Sequence, residues 1–486
     1  MRSLKILVVN SFLLLMGAMT ATAEGAKDDV IDRAVEAYGG ENFTNMDNLI
    51  IADRYKGFRF GQSNSPDFVD AESYDARISV DFENKRKSFQ WVTGRKDAFS
   101  VQHQVFDGTR GFRLNRTSRT ITENASINFA TVDRQVSYLL DTVLLKLLVE
   151  ARGEANYLGK ENYQGKLHDK ISFQAEGSPV LTLFIEEMTG LISAMTRPHW
   201  REGWNFVYQY SDHEEIDGIV FAQDTYVTRG GQPFNVLLSR SITINNDLES
   251  DFVLPTGYAQ EAAVHDFSEM SVKQLSDEVF IVGKVWGFSI FIDVGDYYVA
   301  SGGYSGLKER FEAVRGFTGL EKPLKYQIVS HHHLDHLGGM QEAAELGATF
   351  VTVSNHVQSI KSEITKAVKD DAFMLIDKVA SLAGGAVEIL DIPSGHTNHG
   401  LVTYVPSIKT VFSADTFLSR QISGAPSGYV GLDEFRAAIA AEGWEVDHYA
   451  AAHSGRVLTA ADLDSAINNI LDEVCPTNWR QCERYR

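Results

Sequence analysis

The chain has 486 residues, with 45 Lys+Arg against 65 Asp+Glu, two Cys and 44% hydrophobic residues. This is length for two or three full cores, and at 23% charge the chain is too apolar to be disordered. A formal net charge of −20 excludes a sequence-independent nucleic-acid binder, and two cysteines exclude a disulfide framework or a Cys-rich zinc site. Any metal must therefore be held by His and carboxylates.

The chain opens with Arg2 and Lys5, then an apolar run from Ile6 to Met19, then Thr20-Ala21-Thr22-Ala23. That order predicts a signal peptide over residues 1–23, removed at a small-residue site, and a periplasmic or secreted mature protein. The run is short of a membrane span, and no Cys follows it to take a lipid. No later segment is long and apolar enough to cross a bilayer, so no integral membrane segment is expected after cleavage. In an oxidising compartment Cys475 and Cys482 can close a small loop in the tail or stay as two thiols.

Residues 24–258 read as a mostly antiparallel β domain. A short helix opens it, with Ile31, Val35 and Tyr38 on one face and Gly39-Gly40 as its stop. Ile78, Val80 and Phe82 alternate with polar residues, as do Trp204, Phe206, Tyr208 and Tyr210, and Asp217-Gly218 offers a hairpin turn. One helix, Val136 to Val149, interrupts with a broad leucine-rich face, read as packing against a curved sheet or as a lid over an apolar groove.

Residues 259–486 change to strands alternating with helices. Strands are expected at Val279–Val282, Phe288–Asp293, Tyr297–Ala300, Tyr326–Val329, Phe350–Val353, Val387–Ile392, Leu401–Val405 and Thr410–Ser413. Helices are expected at Leu307–Phe317, Met340–Leu346 and His356–Lys369.

Immediately after the Tyr326–Val329 strand comes Ser330-His331-His332-His333-Leu334-Asp335-His336-Leu337-Gly338-Gly339. In an extended segment His331 and His333 fall on one side and can reach one ion, while Asp335 and His336 turn toward a neighbouring position. Gly395-His396-Thr397, Phe412-Ser413-Ala414-Asp415 and Ala450-Ala451-Ala452-His453 each follow a further β segment. Seven ligand types thus stand at four strand ends, where α/β folds gather their sites. Imidazole and carboxylate donors suit zinc, and also iron or manganese. His332 should face away from its neighbours, His399 and His448 read as supporting or surface residues, and His356 receives no role.

At these motifs the second segment resembles a metallo-β-lactamase-fold hydrolase over roughly residues 268–475. The resemblance implies a four-layer αββα sandwich with two zinc ions. One would take His331, His333 and His396, the other Asp335, His336 and His453, with Asp415 bridging them. Ser-His-His-His-Leu-Asp-His is close to the T-H-H-H-x-D-H of glyoxalase II, and Phe412-Ser413-Ala414-Asp415-Thr416 to its F-T-G-D-T. Asp415 counts against β-lactams as the main substrate. The 33 residues after His453 are too few for the glutathione-gripping domain of glyoxalase II. Ser301 stands where the family commonly has an Asp. The first segment is similar in texture to the half-barrel of periplasmic lipoprotein carriers, on Val105-Phe106-Asp107-Gly108, Ile216-Asp217-Gly218-Ile219 and Phe252-Val253-Leu254-Pro255. That likeness implies a concave face able to hold an acyl chain or another apolar ligand.

The expected protein is an exported metal-dependent hydrolase of a small-molecule ester, lactone or thioester, with Asp335 as its catalytic carboxylate. Two alternatives remain: a persulfide dioxygenase with one iron, and a lipid or lipoprotein carrier with a structural metal domain.

Overall fold

A computed structural model describes residues 25–472, apart from 96–97, 200 and 367, together with residue 474. The expected signal peptide and both cysteines lie outside the described residues. The chain forms two compact units. Among the described residues, one contains 25–58 and Ala71–Ala259, the other Arg59–Asp70 and Gln260–Asp472. Among the described residues, no helix is long and apolar enough to cross a membrane.

The first unit is built on one large sheet made of two meanders. From Asn48–Phe58 the order runs through Ala71–Asp81, Arg86–Arg95, Ala98–Phe106 and Gly111–Asn115 to Thr120–Glu123. On its other side Asn48–Phe58 pairs with Gln232–Ile244, and the order continues through Ile219–Arg229 and Phe206–Ile216 to Asn156–Tyr163. Asp217 and Gly218, both at positive φ, make the two-residue turn between Phe206–Ile216 and Ile219–Arg229. Such a turn matches the right-handed twist of the strands it joins.

The opening helix spans residues 25–37 and buries Val30, Ile31 and Ala34 in the same core as Leu49, Ile78, Trp91 and Phe221. The leucine-rich stretch does not form one helix. Val136–Leu139 is a 3-10 turn, Leu140 is extended, and the α-helix is Asp141–Glu150. The break places the Asp141 carboxylate in the core, where it accepts from Tyr38, from His213 at 2.7 Å and from the Ala222 amide at 3.1 Å. A buried carboxylate needs such partners, and they dictate where the helix starts. Leu144, Leu145 and Leu148 of that helix are fully buried. Arg240 and Asp53 form a second buried pair, with two parallel hydrogen bonds of 2.8 Å.

The second unit is mixed α/β with two sheets. One has seven strands, from Ser271–Ser276 to Phe373–Leu375, and the other six, from Val379–Leu382 to Ser454–Thr459. Val279, Ile281, Ile290 and Ile328 of the first sheet share a core with Val387, Ile389, Leu401 and Phe412 of the second. Phe280, Phe291 and Phe350 cluster instead with Phe311 and Val314 of the helix Leu307–Thr318 and with Met340. Leu390, Val402 and Tyr449 cluster with Phe435 of the helix Leu432–Ala441 and Leu463 of the helix Ala460–Asn468. Central strands such as Val279–Lys284, Gly287–Asp293 and Leu401–Val405 are buried on both faces, which is why they read as short continuous apolar runs.

One expected helix is much shorter than its periodicity suggests. In place of His356–Lys369 there is a 3-10 turn, Ser354–His356, and a helix, Val357–Ser362. The Gln341 side-chain oxygen accepts from the Thr365 amide at 2.9 Å and from its hydroxyl at 3.1 Å, drawing the chain off the helical path.

Candidate metal centre

All the residues of the centre belong to the second unit. The strand Leu324–Ile328 runs parallel to both of its neighbours, Tyr298–Ser301 and Thr349–Thr352. Its C-terminal end delivers Ser330 to His333, and the short helix Leu334–Leu337 carries Asp335 and His336. His396 follows the strand Val387–Asp391, Asp415 follows Thr410–Phe412, and His453 sits in the turn after His448–Ala451. The last two strands are parallel to each other, so their C-terminal ends face the same way.

All seven predicted ligands meet. Three groups of side chains bring their donor atoms within 4.8 Å of one another: His331, His333 and His396; His331, His336 and Asp415; and Asp335, His336 and His453. Asp415 lies at the centre. Its Oδ1 is 3.0 Å from His336 Nε2, and its Oδ2 is 3.2 Å from both His396 Nε2 and His453 Nε2 and 3.8 Å from His331 Nε2. Asp335 Oδ2 lies 3.4 Å from His453 Nε2 and 3.7 Å from His336 Nε2.

The hydrogen bonds around the cluster fix which ring nitrogen faces inward. His333 Nε2 donates to the Ser63 carbonyl at 2.9 Å, which leaves its buried Nδ1 without a hydrogen bond. His453 Nδ1 lies 3.1 Å from the Trp286 carbonyl and 3.0 Å from the Tyr304 hydroxyl, and a carbonyl can only accept, so Nδ1 carries a proton and Nε2 is the nitrogen that faces Asp335 and Asp415. Ser330 Oγ sits between Nδ1 of His331 at 3.2 Å and Nδ1 of His336 at 3.4 Å. His336 Nε2 and Asp415 Oδ1 are buried and make no hydrogen bond despite their approach. Buried orphan donors and acceptors are rare in proteins. Here they converge, and the donor set suits a divalent metal; the cluster fits a metal site.

The charges agree. Burial pushes the Asp415 carboxyl up, but His336 and His453 outweigh it and hold it well below the ordinary range. Burial likewise raises Asp335, and His336 together with hydrogen bonds from His453 and Gln62 pulls it below. Burial lowers His453, yet Asp415 and Asp335 push it up to about 10. His331 is driven well below its usual value by burial and by the neighbouring His336 and His333. Two carboxylates in a buried nest of imidazoles make a place where a cation is stabilised.

The other histidines stay outside the three groups. His332 is buried, its ring centre 5.0 Å from that of His333 and 5.3 Å from that of His356. His399 Nδ1 bonds Asp391 at 2.6 Å, and His448 is exposed at the start of its strand. Ser301 is fully buried with its hydroxyl unpartnered.

Several contributors carry no motif. Tyr304 stands next to Ser301-Gly302-Gly303, and its hydroxyl reaches His453 at 3.0 Å and Asp335 Oδ2 at 3.4 Å. Burial, Asp335 and Asp415 all oppose its ionisation, so it remains a neutral phenol. Trp286 reaches His453 from a hairpin turn whose first residue, Val285, has φ 57°, a conformation β-branched residues rarely adopt. Gln62 donates to Asp335 Oδ1 at 2.7 Å from a segment that is distant in sequence.

No family model matches the chain, and no curated protein matches it. Solved structures similar to part of it include the DIM-1 metallo-β-lactamase, at 15% identity over 42% of this chain and 97% of that one, with a TM-score of 0.34. The mono-zinc form of the FIM-1 metallo-β-lactamase from Pseudomonas aeruginosa matches at 15% identity over 42% and 96%, with a TM-score of 0.33. A flavodiiron protein from Giardia intestinalis matches at 19% identity over 41% and 58%, with a TM-score of 0.33.

Proposed function

We propose that the chain is an exported metal-dependent hydrolase that cleaves an ester, lactone or thioester of a small molecule. The observation that carries this reading is Asp415, whose two carboxylate oxygens stand between the His331, His333, His396 group and the Asp335, His336, His453 group. A one-ion site has no need of the second group, so the reading takes two ions, proposed as zinc, which imidazole and carboxylate donors suit as they also suit iron or manganese. The proposed architecture is a four-layer αββα sandwich of the metallo-β-lactamase type, in keeping with the motifs and the three clusters of apolar side chains. The domain limits of the proposal are 24–258 and 259–486, with the first domain free to take an apolar or acyl ligand.

When bound, divalent ions supply Lewis-acid polarisation of a substrate oxygen and an acidified water. The chain's own residues do the rest. His331, His333 and His396 would hold one ion and Asp335, His336 and His453 the other, with Asp415 serving both. Asp335, kept ionised by its surroundings, orients the attacking water and takes its proton. Tyr304 donates its one proton toward Asp335 Oδ2, and its oxygen faces the Nδ1–H of His453, which holds both side chains in place. Peptide-bond planarity at Trp286 gives His453 a fixed acceptor.

A panel of chromogenic esters, lactones and thioesters tests this. Zinc-loaded wild type should turn over at least one class, and Asp335→Asn should lose most of that activity while keeping its fold. Turnover unaffected by Asp335→Asn would contradict the assignment.

A further inference from the structure

We propose that Gln62 is a positioning residue for Asp335, and that the segment Arg59–Asp70 which carries it is a strap holding the ligand loops of the metal centre in register; the inference rests on the metal-site reading above. In sequence this segment lies between the strands Asn48–Phe58 and Ala71–Asp81, yet it belongs to the second unit. Its hydrogen bonds reach two ligand-bearing loops and, through Asp67, Asn355. The Gly61 carbonyl accepts from the Leu334 amide at 3.0 Å, and the Ser63 carbonyl from His333 Nε2 at 2.9 Å. On the loop that carries His396, Asn64 donates from its side chain to the Ser394 carbonyl at 3.0 Å and accepts at its own carbonyl from the Asn398 amide at 2.7 Å.

The strap is itself a shaped object. Asp70 Oδ2 accepts from the Asn64 amide at 2.8 Å, and Ser63 Oγ donates to the Arg59 carbonyl at 2.8 Å. Gly61 has φ 68°, and a Cβ there would come within 2.4 Å of the Leu334 side chain. Only glycine lets the backbone pass so close to the metal motif.

The chemistry of Gln62 fits its place. A carboxylate turns easily about its last torsion, which is broad and two-fold. Asp335 must keep one oxygen toward the cluster while the like charge of Asp415 stands nearby. The Gln62 amide, donating at 2.7 Å to Oδ1, stops that rotation and leaves Oδ2 facing His453 and His336. An amide does this without adding charge to the cluster.

The test is zinc binding by the full chain. The protein is stripped with a chelator and titrated with zinc alone against a chromogenic competitor. Wild type should take two ions. Gln62→Met, similar in size but without the donor, should weaken one ion by about 10- to 100-fold. Gln62→Glu, which sets a second carboxylate against Asp335, should weaken it at least as much. Should Gln62→Met fail to fold, Gln62→Asn, one methylene shorter, should show the same loss. Asp67→Ala, on the same strap but bonded to Asn355 at 2.9 Å and not to the cluster, should bind as wild type. Wild-type affinity for both ions in Gln62→Met and Gln62→Glu would overturn the inference alone. Equal weakening in Asp67→Ala would also overturn it, assigning the effect to the fold of the strap. A wild-type chain that takes up no zinc would overturn the metal reading and this inference with it.

Discussion

Nε2 of His331 and Nε2 of His396 face each other 3.2 Å apart, from two loops 65 residues apart in the chain. Two ring lone pairs at that distance repel unless a proton or a cation lies between them. The His331 ring is fully buried, and burial holds it neutral, which favours the cation.

This pairing predicts a measurable linkage. A ligand at 100 times its dissociation constant stabilises the native state by about 2.7 kcal/mol. The melting temperature of the stripped wild type should therefore rise on adding zinc. His396→Ala should melt near the stripped wild type without zinc and rise much less with it. An equal rise in both proteins would show that zinc binds elsewhere.

Tyr304 is expected to act through its hydroxyl alone. Tyr304→Phe keeps the ring and removes the bonds to His453 and Asp335. Supporting partners of this kind are typically worth 10- to 100-fold in metal affinity or activity. Turnover of the best ester or lactone should fall by about that factor while the melting temperature stays put. A variant with full turnover would remove Tyr304 from the account.

Asp415 is delivered by a strained backbone. Ala414, immediately before it, has φ 49° in the left-handed region. That conformation costs an L-residue about 1–2 kcal/mol, against about 0.5–1 kcal/mol of extra chain entropy for glycine. Ala414→Gly should therefore stabilise the fold by about 0.5–1 kcal/mol and leave metal content unchanged, as judged by denaturant unfolding of the loaded protein. Destabilisation would mean that the alanine methyl packs better than its torsion costs.

Much of the second unit was legible because its signals are local. Strand after strand reads as an apolar run, and Leu401–Val405 is found with its expected ends. The seven metal-ligand types were legible because each follows a strand end. What was not legible depended on contacts distant in sequence. Nothing about Gln62 or Gly61 marks them as neighbours of Leu334 and Asp335, since the strap joins the centre only through the fold. The helix expected through Lys369 failed because Gln341, far back in the chain, captures Thr365. The break at Leu140 follows from Asp141, whose partners Tyr38, His213 and Ala222 lie on other elements. Ala414 stood in plain view where the glyoxalase II pattern has glycine, and the strain it implies became visible only in its φ.

Acid should destabilise the protein through its buried imidazoles, His332 and His356 among them. Burial pushes His332 down to about 4 and His356 to about 3, each lowered further by neighbouring histidines. The unfolded chain takes up these protons near 6.5, before the folded one does. Stability is thus complete above about pH 6.5 and is lost as pH falls, at about 1.4 kcal/mol per pH unit for each histidine. Metal-free wild type should show a falling melting temperature between pH 6.5 and 4.5, and His356→Gln a shallower fall. Parallel slopes would place the acid lability elsewhere.

Metal content per chain, measured by elemental analysis of mature protein purified without added metal, tests the central claim most directly. The account predicts about two zinc ions per chain in the wild type, lost on Asp415→Ala. One iron per chain, or a folded protein holding no metal at all, would contradict it.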